Sequence, residues 1–230
     1  MGGAVATLSE WPELSSFVDT CMAEAPVLSE FGAMEPSITL AANLAKRHYA
    51  EVRTFTDLKL PCRMRICPHD AHLAKKFFWE IYQEEQGGFE PGKNHAEVFR
   101  AFCLDVGLTE EILEDEYQGY WPNYAYLLTE PPSMTALVRE LAVSYAWESA
   151  IARVAPQLQK LLDSVLQELG REDVDVRYFD EHVVLDVHHA EMAADVLVAY
   201  AVTEDLRDVA KASIRDTLVT QNPWMLPLHT

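Results

Sequence analysis

Residues 177–200 read RYFDEHVVLDVHHAEMAADVLVAY, a run whose apolar residues recur every three to four positions, as in a buried helix. Three histidines and several carboxylates interrupt it. At about 100° per residue, Asp186 lies about 40° from His182 around the helix axis, and His189 about 20° to the other side. The three therefore project together. Leu185, Met192, Ala193 and Val196 lie on or beside the same stripe, so the polar triplet faces the core. His188 points about 120° away and is read as a surface group or as one that supports a ligand from behind. A buried Asp between two histidines is costly unless it is paired or bound to a cation. Imidazole and carboxylate together suit iron, manganese or zinc. A single core histidine has a plainer explanation in a hydrogen bond, but three ligand-type groups on one stripe favour a metal.

Almost every other long segment carries the same helical period. Helices are expected over about residues 12–24, 37–55, 69–86, 94–106, 109–119, 133–168, 176–201 and 204–219. Breakers stand between them: APVLSEFGAMEP at 25–36, LKLPCRMRICPHD at 58–70, QGGFEPGKN at 86–94 and YWPNYAYLLTEPPS at 120–133. Thr109 can cap the helix that follows it, Glu110 and Glu111 suit its positive end, and Gly170 stands where the long helix should stop. The expectation is one all-α domain over residues 1–230, with seven or eight helices.

Composition narrows the function. The chain has 230 residues, with 37 Asp and Glu against 18 Lys and Arg. The net charge of −19 argues against nucleic acid, whose phosphates need clustered cations. No apolar run approaches the roughly 20 residues that span a bilayer, and the first residues lack the basic and apolar parts of a signal peptide. A cytoplasmic protein is expected. Cys21, Cys62, Cys67 and Cys103 are too few for a disulfide framework and are read as free thiols. Eight of the cations fall between Lys46 and Lys76. Most should balance acidic faces, but one arginine among Arg53, Arg63 and Arg65, or Arg177 beside the triplet, is a candidate to hold a substrate carboxylate.

Further metal ligands should interrupt other apolar faces. In TALVRELAVSYAWESAIARV, Glu148 shares a stripe with Leu137, Leu141, Ser144 and Ile151, whereas Glu140 falls elsewhere and is read as a solvated charge. In KKFFWEIYQEEQGG, Glu84 shares a face with Phe77 and Ile81, with Glu85 or Glu80 as replacements. His95 heads an apolar line through Val98, Phe99 and Phe102. Three histidines and three carboxylates suit two adjacent metal ions in a helical scaffold. Tyr145, three residues before Glu148, is placed to support a ligand. Trp147, with Trp79, Tyr82 and Phe99, is a candidate pocket wall.

The segments EEQGGFEPGKNHAEVFRAFCLDVGL, SYAWES and HVVLDVHH, within about residues 70–200, resemble the heme-oxygenase-like diiron oxidases and oxygenases. The resemblance implies a heme-oxygenase-like helical bundle, with Glu84, His95, Glu148, His182, Asp186 and His189 as ligands of two iron ions. Eleven residues separate Glu84 from His95, more than in several members, which leaves Glu85 and Glu90 as alternatives. It further implies dioxygen as co-substrate, an electron donor, and an amino-acid-derived small molecule as substrate in natural-product biosynthesis. N-oxygenation, desaturation, oxidative C–C cleavage and nitrile formation are the reaction types, and a homodimer is compatible. Fatty-acid oxidative decarboxylation is the second expectation. A metal-free thiaminase-like or cofactorless enzyme, a two-zinc hydrolase and an interaction protein with a structural metal are the rivals.

Overall fold

The computed structural model describes residues 11–25, 37–170 and 174–220. The opening residues read for a leader, and most of the 25–36 breaker, lie outside them. The helices are α1 (Glu13–Glu24), α2 (Ile38–Thr54), α3 (Leu60–Ile66), α4 (His72–Glu85), α5 (His95–Asp105), α6 (Glu110–Tyr120), α7 (Met134–Leu169), α8 (Arg177–Tyr200) and α9 (Glu204–Arg215). Among the described residues there is no strand, and no helix is long and apolar enough to cross a membrane.

Local chemistry sets the helix starts. Side-chain oxygens of Ser37, Asn94, Thr109, Ser133 and Thr203 accept hydrogen bonds from early backbone N–H groups of α2, α5, α6, α7 and α9. Gly170 ends α7 in the left-handed conformation, with φ 60°. Two expected breakers turn out helical. A π-helical turn, Phe55–Lys59, carries α2 on into α3, so that Pro61 enters at the start of a new helix where its missing N–H is tolerated. The stretch Trp121–Leu128 winds as 3-10 helix rather than open loop.

Two apolar clusters share the long pair α7 and α8. One joins α1, α4 and α9 to the first half of α7 and the end of α8, through Leu14, Phe78, Leu141 and Leu197. The other joins α2, α5 and α6 to the end of α7 and the start of α8, through Leu44, Phe102, Val165 and Tyr178. On α8, the segment from His182 to His189 lies between these contacts. The polar triplet thus sits at the seam of the two cores, where side chains from both halves converge.

Candidate metal centre

Six side chains from four helices form two triads. Glu85, His95 and His182 make one, and Glu148, Asp186 and His189 the other. Within each triad the ligand atoms lie within 4.8 Å of one another. Glu85 is the last residue of α4 and His95 the first of α5, so the intervening loop decides whether they meet. Gly87 makes that possible. Its φ is +59°, and a Cβ there would lie 2.1 Å from the Lys93 carbonyl oxygen. Asn94 fastens the other end, donating to Gln86 Oε1 at 2.8 Å while capping α5.

The imidazoles are oriented by their outward nitrogens. His182 Nδ1 donates to the Tyr178 carbonyl oxygen at 2.7 Å, which leaves Nε2 facing Glu85, 3.8 Å away. His189 Nε2 donates to Glu84 Oε2 at 2.6 Å, which leaves Nδ1 facing Glu148, 3.8 Å away. A backbone carbonyl or carboxylate behind a histidine is the arrangement that fixes the tautomer of a metal ligand. His95 Nδ1 is buried 3.2 Å from Glu85 Oε2 yet has no hydrogen-bond partner among the described residues.

Electrostatics point the same way. Burial works against the His182 imidazolium, but Glu85 outweighs it and the pKa rises to about 9. Burial likewise opposes charge on His189, and Glu148 and Glu84 raise its pKa to about 10. Burial and the nearby Glu148 carboxylate push Asp186 well above the usual carboxylate range. Burial also disfavours the Glu85 carboxylate, but His182 and His95 hold its pKa below that range. Three buried carboxylates therefore need positive charge beside them. A divalent ion in each triad would supply it with neutral imidazoles, and would give His95 Nδ1 its missing partner. Three nitrogen and three carboxylate donors fit iron.

The structure sorts the sequence candidates. His95, Glu148, His182, Asp186 and His189 come together. Glu84 lies outside both triads, 39% exposed, and reaches His189, while Glu85 takes the inner place. Helical phase does not separate them, because Phe77, Phe78 and Ile81 are all buried and lead to both; the packing of α5 and α8 against the end of α4 turns Glu85 inward. Glu80 pairs with Lys76, and Glu90 with Lys93, both at the surface. Tyr145 packs in the first apolar cluster, with Ser15 and Ser149 beside its hydroxyl, rather than against Glu148. Arg177 forks onto Asp175 in solvent, Arg53 pairs with Glu114 and stacks on Tyr117, and Arg65 donates to the Leu127 carbonyl. Only Arg63 of the four is inside, 2% exposed, with its Nε 3.2 Å from Glu140 Oε2. Glu140 is accordingly not solvated but 1% exposed, held by Arg63 and Arg139.

Glu85, Glu148, His182 and Asp186 open onto one cavity of about 50 Å³, which we call the inner chamber. Arg63 and Trp147 line both this chamber and an outer, polar cavity of about 280 Å³. On the far side, His48, Tyr178 and Ile151 pass into a narrow space that adjoins an apolar pocket lined by Leu44, Phe99, Phe102 and Leu161. Tyr178 and His48 had no role in the sequence reading. The Tyr178 ring stacks on His182 with centroids 3.9 Å apart, and its hydroxyl lies 2.8 Å from His48 Nε2. Burial, reinforced by the charge of His182, lowers the His48 pKa to about 4. Tyr178 stands one helical turn before His182, a spacing that marks it as a neighbour; nothing local marks His48.

The model of a family described as iron-containing redox enzymes matches residues 42–218, a stretch that holds all six triad residues. No curated protein matches the chain.

Proposed function

Since this chain belongs to the iron-containing redox enzymes and has the all-α, heme-oxygenase-like bundle, we propose that it is a dioxygen-dependent oxidase or oxygenase with two non-heme irons. The observation that carries this reading is the pair of His and carboxylate triads, of which Glu85 and His182 from one and Glu148 and Asp186 from the other line one chamber. Glu85, His95 and His182 would hold one ion, and Glu148, Asp186 and His189 the other. Iron so bound supplies electron transfer to dioxygen, a reactivity no side chain provides. The chain's own share is orientation and exclusion of water. Tyr178 and Glu84 fix two of the imidazoles, and Val52, Phe55, Trp147 and Ile151 keep the chamber wall apolar.

The substrate is a small carboxylate, amino-acid-derived in the first reading, with its acid group on Arg63. Arg63 is buried where the inner and outer cavities adjoin, and among the described residues its terminal nitrogens make no hydrogen bond. A guanidinium in that state suits a carboxylate. The apolar pocket beyond His48 favours a second reading, a fatty acid whose tail extends past the metals. N-oxygenation, desaturation, oxidative C–C cleavage and nitrile formation in natural-product synthesis remain the reaction types proposed. A separate electron donor serves the site, and the four buried, free cysteines suit a reducing cytoplasm.

Anaerobic titration of metal-free protein with ferrous ion, followed by rapid mixing with dioxygen, tests the reading. It expects saturation at about two ions per chain and oxidation by dioxygen, quickened by the right acid. Saturation at zero or one ion, or two ions inert to dioxygen against both amino acids and fatty acids, overturns it. Preferential zinc retention with hydrolytic activity would replace it with a hydrolase.

A further inference from the structure

A second buried polar network lies beside the triads. Lys59, the last residue of the π-helical turn, is 2% exposed, and its Nζ lies 2.7 Å from both carboxylate oxygens of Glu51. Tyr120 donates its hydroxyl proton to Glu51 Oε2. Tyr124 Oη is 3.0 Å from Tyr120 Oη. Because Tyr120 commits its only proton to Glu51, Tyr124 must be the donor in that second bond. The hydroxyls therefore point one way, from Tyr124 through Tyr120 to Glu51.

The two ends of this chain open on different spaces. Tyr124 lines the outer cavity with Asn123, Tyr126 and Arg139. Glu51 lines the inner chamber with Glu85, Glu148 and Asp186. The chain itself is packed: Tyr120 is 8% exposed, and the Lys59 ammonium sits 3.6 Å from the Tyr124 ring centroid. The chain thus joins two cavities, with its donors pointing from the outer one to the inner.

We propose that Tyr124, Tyr120 and Glu51 form a proton wire that carries protons from the outer cavity to the inner chamber. The inference rests on the dioxygen-using reading above. Inserting one oxygen atom into a substrate and releasing the other as water consumes two protons, along with two electrons from a reductant. Making hydrogen peroxide from dioxygen and two electrons also consumes two. For each proton, a hydronium ion in the outer cavity protonates Tyr124 Oη and is left as water, as the Tyr124 proton passes to Tyr120 Oη. The Tyr120 proton passes to Glu51, and Glu51 releases a proton into the inner chamber. Every O–H bond that breaks is replaced, and the hydroxyls then turn back. Burial disfavours charge on Glu51, but Lys59, the Tyr120 hydroxyl and Arg63 outweigh it and lower its pKa, so Glu51 rests as a carboxylate and does not trap the proton; His48 and Tyr178 line the same chamber.

The test uses the full chain with Tyr120→Phe, Tyr124→Phe and Glu51→Gln, the first two keeping the rings that pack on Lys59. In metal-free protein, the Tyr120–Glu51 hydrogen bond should give a proton resonance far downfield. Tyr120→Phe and Glu51→Gln should abolish it, and Tyr124→Phe should keep it. Ferrous-loaded protein is then mixed with dioxygen alone in water and in heavy water. The wild type should show a solvent isotope effect involving more than one proton. Both phenylalanine variants should bind iron as the wild type does, react at least about ten-fold more slowly, and recover in concentrated imidazole or acetate buffer. Unchanged rate and isotope effect in iron-loaded variants would overturn the wire. So would a slow reaction with no change in isotope effect and no rescue, which is the mark of a structural role. Wild-type protein that takes up no iron, or holds it inert to dioxygen, refutes the dioxygen reading itself and leaves the wire no reaction to serve.

Discussion

Glu84 and Glu85 are adjacent in the chain and both touch imidazoles, but their carboxylates do different work. Glu85 is a buried member of a triad, and Glu84 holds the outward nitrogen of His189. Glu85→Ala should lower iron uptake to about one ion per chain, by removing a donor directly. Glu84→Ala should keep both sites and weaken the His189 site by about 10–100-fold, the usual effect of losing the group behind a ligand. Ferrous titration of the two variants separates them, and the reverse pattern would exchange their roles. Helical phase made the triplet on α8 and Glu148 legible, because each interrupts an otherwise apolar stripe. It left Glu84 and Glu85 open, since a helix that ends at residue 85 offers no further turn to set the phase. Glu140 shows the opposite failure: a charge off the apolar stripe looked solvated, and only the approach of α3 puts Arg63 on it.

At the scale of elements, the loop between α4 and α5 carries more of the site than its length implies. Gly87→Ala would place a Cβ against the Lys93 carbonyl in a left-handed backbone that costs any L-residue about 1–2 kcal/mol. Gly170→Ala, at φ +60° with no neighbour within 4 Å among the described residues, carries the backbone cost without the clash. Both should lower stability in urea, Gly87→Ala by more. Only Gly87→Ala should also weaken iron binding by the Glu85, His95 and His182 triad. Equal iron affinity in the two variants would show that the loop does not position His95. The helix limits expected from periodicity lie within three residues of those observed for α1, α2 and α4–α8. Proline was the misleading signal. Pro61 and Pro122 read as breaks, but each falls at the first turn of a new helical run, where no donor is missed.

Across the whole molecule, the candidate centre ties together α4, α5, α7 and α8 at the seam of two apolar clusters. Ferrous ion should therefore act on global stability, because a ligand set drawn from four helices exists only in the folded chain. At 100 times the dissociation constant, binding is expected to add about 2.7 kcal/mol per site and to raise the unfolding temperature. Calorimetry with and without stoichiometric iron measures this, and a chelator should reverse it. A loaded protein that unfolds at the same temperature as the metal-free one would mean that the triads do not bind iron in the native state. The same seam holds the inner chamber, where neither core could close on its own.

Periodicity and ligand chemistry by themselves determined the helical class, the limits of most helices, and five of the six residues that now stand in the two triads. Such features are local: a stripe of apolar residues with a histidine or acid in it is visible within one helix. Which arginine is buried, which of two neighbouring glutamates turns inward, and which tyrosines stand beside the triads were decided only when the helices packed. Arg63 meets Glu140 across 77 residues of chain, His48 meets Tyr178 across 130, and Glu51 meets Tyr120 across 69. Contacts at such separations leave no period in the sequence. They depend on where α2 and α3 cross α6, α7 and α8, and the cavities between those helices exist only in the assembled fold.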